Sequence, residues 1–196
     1  MMDITSRQME IVQAAIKVIA RQGYDRLTTK NLAASLGVTD ASLYRHFESK
    51  KELIKMILCY FEHLSCEVIQ EIKAQKLGPL DRMRRFVMNR YELFQAEPDL
   101  AMVMFSEELF KHDHSFEEYL QGIMHIHRDE VLGYIMEGQQ KDLIRCDVNA
   151  MHIFRMVVGS MRLLVTQWNL TKHGFDLLSE GRELTESIIK LIEVKQ

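Results

Sequence analysis

Four groups of residues have types and spacings that chemistry could use. Cys59, His63 and Cys66 fall at i, i+4 and i+7, which gathers soft metal ligands, or thiols for a redox switch, on one helix face. His112-x-His114 and His125-x-His127 have the alternation of metal ligands in an extended chain. Glu107-Glu108 offers the paired carboxylates of acid–base catalysis. The fourth group is the run 37–54, GVTDASLYRHFESKKELI, which crowds hydroxyl, aromatic and basic side chains onto a short helix. That is the inventory needed to hydrogen-bond bases and phosphates.

Helical geometry weighs against the first three. At 1.5 Å of rise per residue, Cys59 and Cys66 stand about 10 Å apart along the axis, too far for one metal ion or a disulfide within the helix. Histidines at i and i+2 of a helix point apart, so both His-x-His pairs read as solvated or capping groups. Adjacent glutamates diverge by about 100°. The sequence contains no nucleophile elbow, glycine-rich phosphate loop or zinc-protease motif. The expectation is a protein that is not an enzyme, with no catalytic residue, metal or cofactor.

The fourth group survives the same test. On a helix over 39–47, Leu43 and Phe47 coincide and must face a core. Ala41, Ser42 and Arg45 lie opposite, with Tyr44 and His46 on the flanks. A helix inserted in a major groove needs this layout, small or polar groups toward base edges and donors on both shoulders toward phosphates. The preceding helix opens at Thr28-Thr29, whose hydroxyls and N–H groups can hold a phosphate. Lys50, in the first turn of the following helix, offers another phosphate contact. Arg45 could pair with guanine or with Glu48 or Glu52.

The elements that must carry this head are helical. Residues 5–22 place Met9, Ile11, Val12, Ala15, Ile16 and Ile19 on one stripe and stop at Gly23. Thr28 and Thr29 cap a helix ending at Gly37, and Thr39 caps the next. Ser49 and Glu52 form a capping box that starts a long helix over 49–75. Gly78-Pro79 breaks the chain. Helices follow over 80–96, 99–111, 115–140 (with Ser115 and Glu118 as a second capping box), 149–170 and 175–193. The fold class is all-α, about nine helices, with no strand.

Charge divides the chain unevenly. Residues 1–51 hold eight Lys/Arg against five acids, whereas the whole chain of 196 residues carries −3. A basic head on an acidic body suits a polyanion-binding module joined to something that binds no polyanion. No apolar run is long enough to cross a membrane, and MMDITSRQME lacks the apolar core of a signal peptide. Three cysteines, an odd number, fit a reducing cytoplasm.

The stretch 7–58 resembles the N-terminal DNA-binding domain of TetR-family transcriptional regulators. The marks are ARQGYDRLTT, LAASLGV, SLYRHFESKKEL and the switch into a long fourth helix. The resemblance implies a helix-turn-helix DNA-binding domain over 1–50 and a larger helical regulatory and dimerisation domain over 51–196. It implies base contacts from Ala41 and Ser42, and phosphate contacts from Thr28, Thr39, Tyr44, His46 and Lys50. Ala41 stands where many members have Gly. Asp40 replaces a neutral or basic residue and would repel phosphate, so it is left out of the contact set.

One recognition helix spans only a few base pairs, so a homodimer on a palindromic operator is expected. Residues 150–170 are apolar nearly all round, and the resemblance makes this segment and the last helix the dimer face. It also implies a small-molecule pocket among the fourth to eighth helices. Phe61, Met88, Met102, Phe105, Met124 and Trp168 are the candidate contacts for an apolar or amphipathic effector. The expected function is a cytoplasmic, dimeric repressor released by that ligand. The alternatives are a helical binding or scaffold protein with a degenerate head, and a metal- or thiol-sensing regulator.

Overall fold

The computed structural model describes residues 5–106, 109 and 113–194. Nine α-helices lie among them: α1 Ser6–Gln22, α2 Thr29–Leu36, α3 Asp40–Leu43, α4 Lys50–Ala74, α5 Pro79–Ala96, α6 Pro98–Met104, α7 His114–Gln140, α8 Ala150–Leu170 and α9 Leu177–Ile192. The only sheet-like feature among the described residues is an isolated bridge between Ile144 and Glu193. The structure has the all-α class that the periodicity predicts. Glu107, Glu108, Phe110 and His112 lie outside the described residues.

The chain forms two compact units, Met1–Leu64 with Asp99–Gly122, and Ser65–Pro98 with Ile123–Gln196. In the first, Thr5 and Gln8 close a capping box at the start of α1. Its buried face holds Ile11, Val12, Ala15, Ile16, Val18 and Ile19. Thr28 caps α2 by accepting from the Asn31 N–H at 3.2 Å. Gly37 ends α2 in the left-handed conformation (φ 66°), which costs little only without a Cβ. Leu32, Ala33, Leu43, Phe47, Leu53 and Ile54 are buried in the same unit.

The second unit is built on α5, α8 and α9, which pack on one another. α9 approaches α5 so closely at Gly181 that a Cβ there would stand 2.6 Å from the Tyr91 ring. Arginines on α5 tie it to its neighbours: Arg82 to Glu137, Arg84 to Glu186 at 2.6 Å, Arg85 to Glu71 at 3.5 Å. No helix among the described residues is long and apolar enough to cross a membrane.

Two caps differ from the sequence expectation. Glu52 returns its carboxylate to the Glu48 N–H at 2.5 Å, not to that of Ser49, while Ser49 Oγ accepts from the Glu52 N–H. Asp113, not Ser115, caps α7, accepting from the Ser115 N–H at 2.9 Å and its hydroxyl at 2.6 Å. A carboxylate is the stronger acceptor, and Lys51 stabilises its charge from 2.8 Å.

Candidate nucleic-acid interface

The recognition segment is shorter than the spacing predicts. α3 is one turn, Asp40–Leu43, and residues 44–46 continue as turns. The hydrogen bonds explain the change: His46 N donates to Leu43 O (2.9 Å), a three-residue step, and Phe47 N to the same carbonyl at a long 3.4 Å. The His46 carbonyl is taken by the Gln8 side chain on α1 at 3.3 Å, which holds the segment's end where a longer helix would not run. The face assignments nevertheless stand. Leu43 is fully buried and Phe47 is 5 % exposed, whereas Thr39, Ala41, Tyr44 and Arg45 are exposed and Ser42 and His46 half-buried.

Thr39 occupies the N-cap position of α3, but its side chain makes no capping bond. Arg45 forms no ion pair among the described residues, and Glu52 is occupied with the Glu48 N–H. Of the two partners open to Arg45 in the sequence, the carboxylates are therefore not used. Tyr44 is 58 % exposed, and its hydroxyl shares a hydrogen bond with Thr29 Oγ1 at 3.2 Å. That bond joins the recognition segment to the first turn of α2.

A crevice at the start of α2 is lined by Leu27, Thr28, Thr29, Leu32, Phe47, Lys50 and Leu53. The structure thus brings Thr28, Thr29 and Lys50 together, with Tyr44 attached through Thr29. Lys50 donates from Nζ to the Tyr24 carbonyl at 2.7 Å and sits 3.5 Å above the Tyr24 ring centre. Burial lowers its pKa, and Asp25 opposes that shift. In the same unit, Arg21 pairs with Asp99 at 3.3 Å and Lys51 with Asp113. The Lys51 contact, followed by the Ser115 bonds, holds the Asp113 carboxyl well below the usual carboxylate range.

The other candidate groups disperse. Cys59 is half-buried, with Sγ 3.1 Å from the Tyr119 hydroxyl, which donates to Glu62 at 2.6 Å; His63 is exposed. Burial is the first cause that raises the Tyr119 pKa, ahead of its bonds to Cys59 and Glu62. His125 is exposed, and His114 lies 3.4 Å from Glu117. His127 corrects the expectation of solvated histidines. Its ring packs edge-on against Phe86, 5.5 Å between centroids, and burial, then the Arg90 charge, drives its pKa down to about 3.

The effector candidates have mixed environments. Phe61 and Trp168 are buried, Met88 and Phe105 half-buried, Met102 and Met124 exposed. Trp168 donates from Nε1 to the Phe175 carbonyl at 3.0 Å and stacks on His173. Sequence reasoning missed Arg90, which is 2 % exposed and donates to Ser65 Oγ at 3.0 Å and Asn89 Oδ1 at 2.5 Å. Burial lowers its pKa to about 10. It missed Tyr24 as well, because the pairing with Lys50 spans 26 residues and leaves no local pattern.

Comparison with known proteins decides the class. Residues 11–57 match bacterial regulatory proteins of the tetR family, and residues 51–192 match the C-terminal region of YsiA-like protein. The chain belongs to the TetR family. It is a DNA-binding transcriptional regulator, not an enzyme. It is 22 % identical over 189 residues to the fatty acid metabolism regulator protein of Bacillus subtilis (strain 168), covering 96 % of this chain and 97 % of that one. The TetR fold is also that of the ketosteroid transcriptional regulator KstR2 of Mycobacterium tuberculosis, with TM-score 0.82, 17 % identity and 98 % of each chain covered. The regulator FadR from Bacillus subtilis in complex with stearoyl-CoA aligns with TM-score 0.75, 20 % identity, and 92 % and 97 % coverage.

Proposed function

We propose that the protein is a homodimeric repressor, released from a palindromic operator by a small apolar or amphipathic effector. One observation carries the DNA side of this reading. Leu43 and Phe47 anchor the recognition segment while Ala41, Tyr44 and Arg45 face solvent. Ala41, Ser42 and Arg45 contact bases, and Thr28, Thr29, Thr39, Tyr44, His46 and Lys50 contact phosphates. Residues 1–50 are the DNA-binding part and 51–196 the regulatory part. A cytoplasmic location follows from the DNA target.

Exposed apolar side chains support the dimer. Met156, Leu163 and Leu170 recur every seven residues on α8, at 44, 58 and 78 % exposure. Such a stripe drifts by only about 20° per repeat, so the three share one face. Leu191 on α9 is 68 % exposed. Gly159 has open space at its Cβ position, which suits a partner helix approaching α8.

The effector contacts are Phe61, Met88, Met102, Phe105, Met124 and Trp168. A long-chain acyl thioester is the first effector to test, because a similar fold holds stearoyl-CoA. Release works through the spacing of two heads. Major grooves on one face recur about 34 Å apart, and an effector that favours another spacing prevents both heads from docking. α4 is the lever, a single helix from Lys50 to Ala74. By linkage, the effector must bind the non-operator conformation more tightly.

Sedimentation and fluorescence anisotropy test this. The free protein should sediment as a dimer, and stearoyl-CoA should displace it from a duplex that it selects from a random pool. A complex indifferent to stearoyl-CoA would remove the acyl thioester. Identical head spacing in effector-bound and operator-bound crystals would remove the lever.

A further inference from the structure

We infer that Tyr24 is a positioning residue for DNA binding, holding the Lys50 ammonium over the start of α2 for a backbone phosphate. The inference rests on the DNA contacts proposed above and adds a residue that makes none of them. Lysine is a flexible four-carbon chain that loses rotamer entropy when fixed, and at the first turn of α4 its charge opposes the helix dipole. Something must hold it there. Tyr24, in the short turn Tyr24–Arg26 between α1 and α2, does so twice.

Its carbonyl accepts one ammonium proton at 2.7 Å, and its ring lies 3.5 Å beneath Nζ. The carbonyl contact belongs to the backbone, so any residue at 24 can make it. The ring contact requires an aromatic side chain. An ammonium has three donors, so the Tyr24 carbonyl uses one and leaves capacity toward the crevice that Lys50 shares with Thr28 and Thr29. On the other side of Thr29, the Tyr44 hydroxyl at 3.2 Å extends the polar line toward the recognition segment. Thr28, Thr29, Lys50 and the first turn of an eight-residue helix thus border one small opening, whose floor of Leu27, Leu32, Phe47 and Leu53 is apolar and leaves the polar groups at its edge as the contacts for a phosphate.

The test compares Tyr24→Leu, Tyr24→Phe, Lys50→Met and Tyr24→Leu/Lys50→Met by anisotropy on the duplex selected by the unaltered protein, across a salt series. Thermal melts establish that each variant folds. Tyr24→Leu should weaken binding about five-fold and make the salt slope shallower by about 0.9 per head, as Lys50→Met does. The double variant should bind no more weakly than Lys50→Met. Tyr24→Phe, which keeps the ring and loses the hydroxyl, should retain the full slope. A full slope in Tyr24→Leu, additive losses in the double variant, or a Tyr24→Phe loss equal to that of Tyr24→Leu would each overturn the positioning role. If the unaltered protein selects no duplex, the DNA contact set itself fails, and this role with it.

Discussion

The head and the body of this regulator place their apolar residues by the same rule and their polar residues by opposite ones. In the stretch 37–54, buried Leu43 and Phe47 anchor a segment whose polar side chains face outward. In the body, polar groups are drawn in: Arg90 is 2 % exposed and His127 packs edge-on against Phe86. An exposed polar group is available to a ligand at little cost, whereas a buried one must be satisfied and becomes part of the packing. The lesson is that the head is built to bind a polyanion, while the body's polar residues first secure the body itself.

That contrast can be broken most forcefully at its anchor. Phe47→Ala empties a buried aromatic site and should cost about 3–5 kcal/mol of stability, removing DNA binding with it. A denaturant melt that leaves stability intact would show that the segment does not depend on its buried side.

In the body, Gly181→Ala pushes a methyl into the Tyr91 ring, from which a Cβ would be 2.6 Å away. Overpacking of this kind costs about 1–3 kcal/mol, and it should leave the salt slope of DNA binding unchanged. A changed slope would mean that the body's packing reaches the phosphate contacts.

The half-buried histidine gives a smaller and pH-dependent effect. His127 has a folded-state pKa lowered to about 3, so between there and its ordinary value near 6.5 the unfolded chain binds a proton that the folded chain does not. Stability from this group is complete above about pH 6.5 and declines as pH falls, by up to about 1.4 kcal/mol per unit. His127→Gln should therefore lose stability less steeply than the unaltered protein between about pH 6.5 and 5. Parallel curves for the two would place the acid sensitivity elsewhere.

The sequence made the head legible because its signals are local. Gly37 in the left-handed conformation, Thr28 as a cap, and Leu43 with Phe47 on one face are each set within a few residues. The length of α3 was not legible, since Gln8, 38 residues away, takes the carbonyl at its end. Asp113 and Ser115 are equally plausible caps until Lys51 arrives to favour the carboxylate. Nothing near Arg90 distinguishes it from Arg82, Arg84 and Arg85 on the same helix, three residues whose ion pairs lie nearer solvent. Methionine spacing likewise does not separate buried Met83 from exposed Met102 and Met124.

The most direct measurement is the affinity of the purified protein for DNA from immediately upstream of its own gene, against a scrambled duplex, at about 50 and 200 mM salt. Phosphate-driven binding alone weakens by orders of magnitude over that range. Tight binding to the native fragment that survives 200 mM salt, and is lost in Arg45→Ala, is the predicted result. Equal binding to both duplexes, erased together at the higher salt, would contradict a sequence-reading head at 37–54 on that operator.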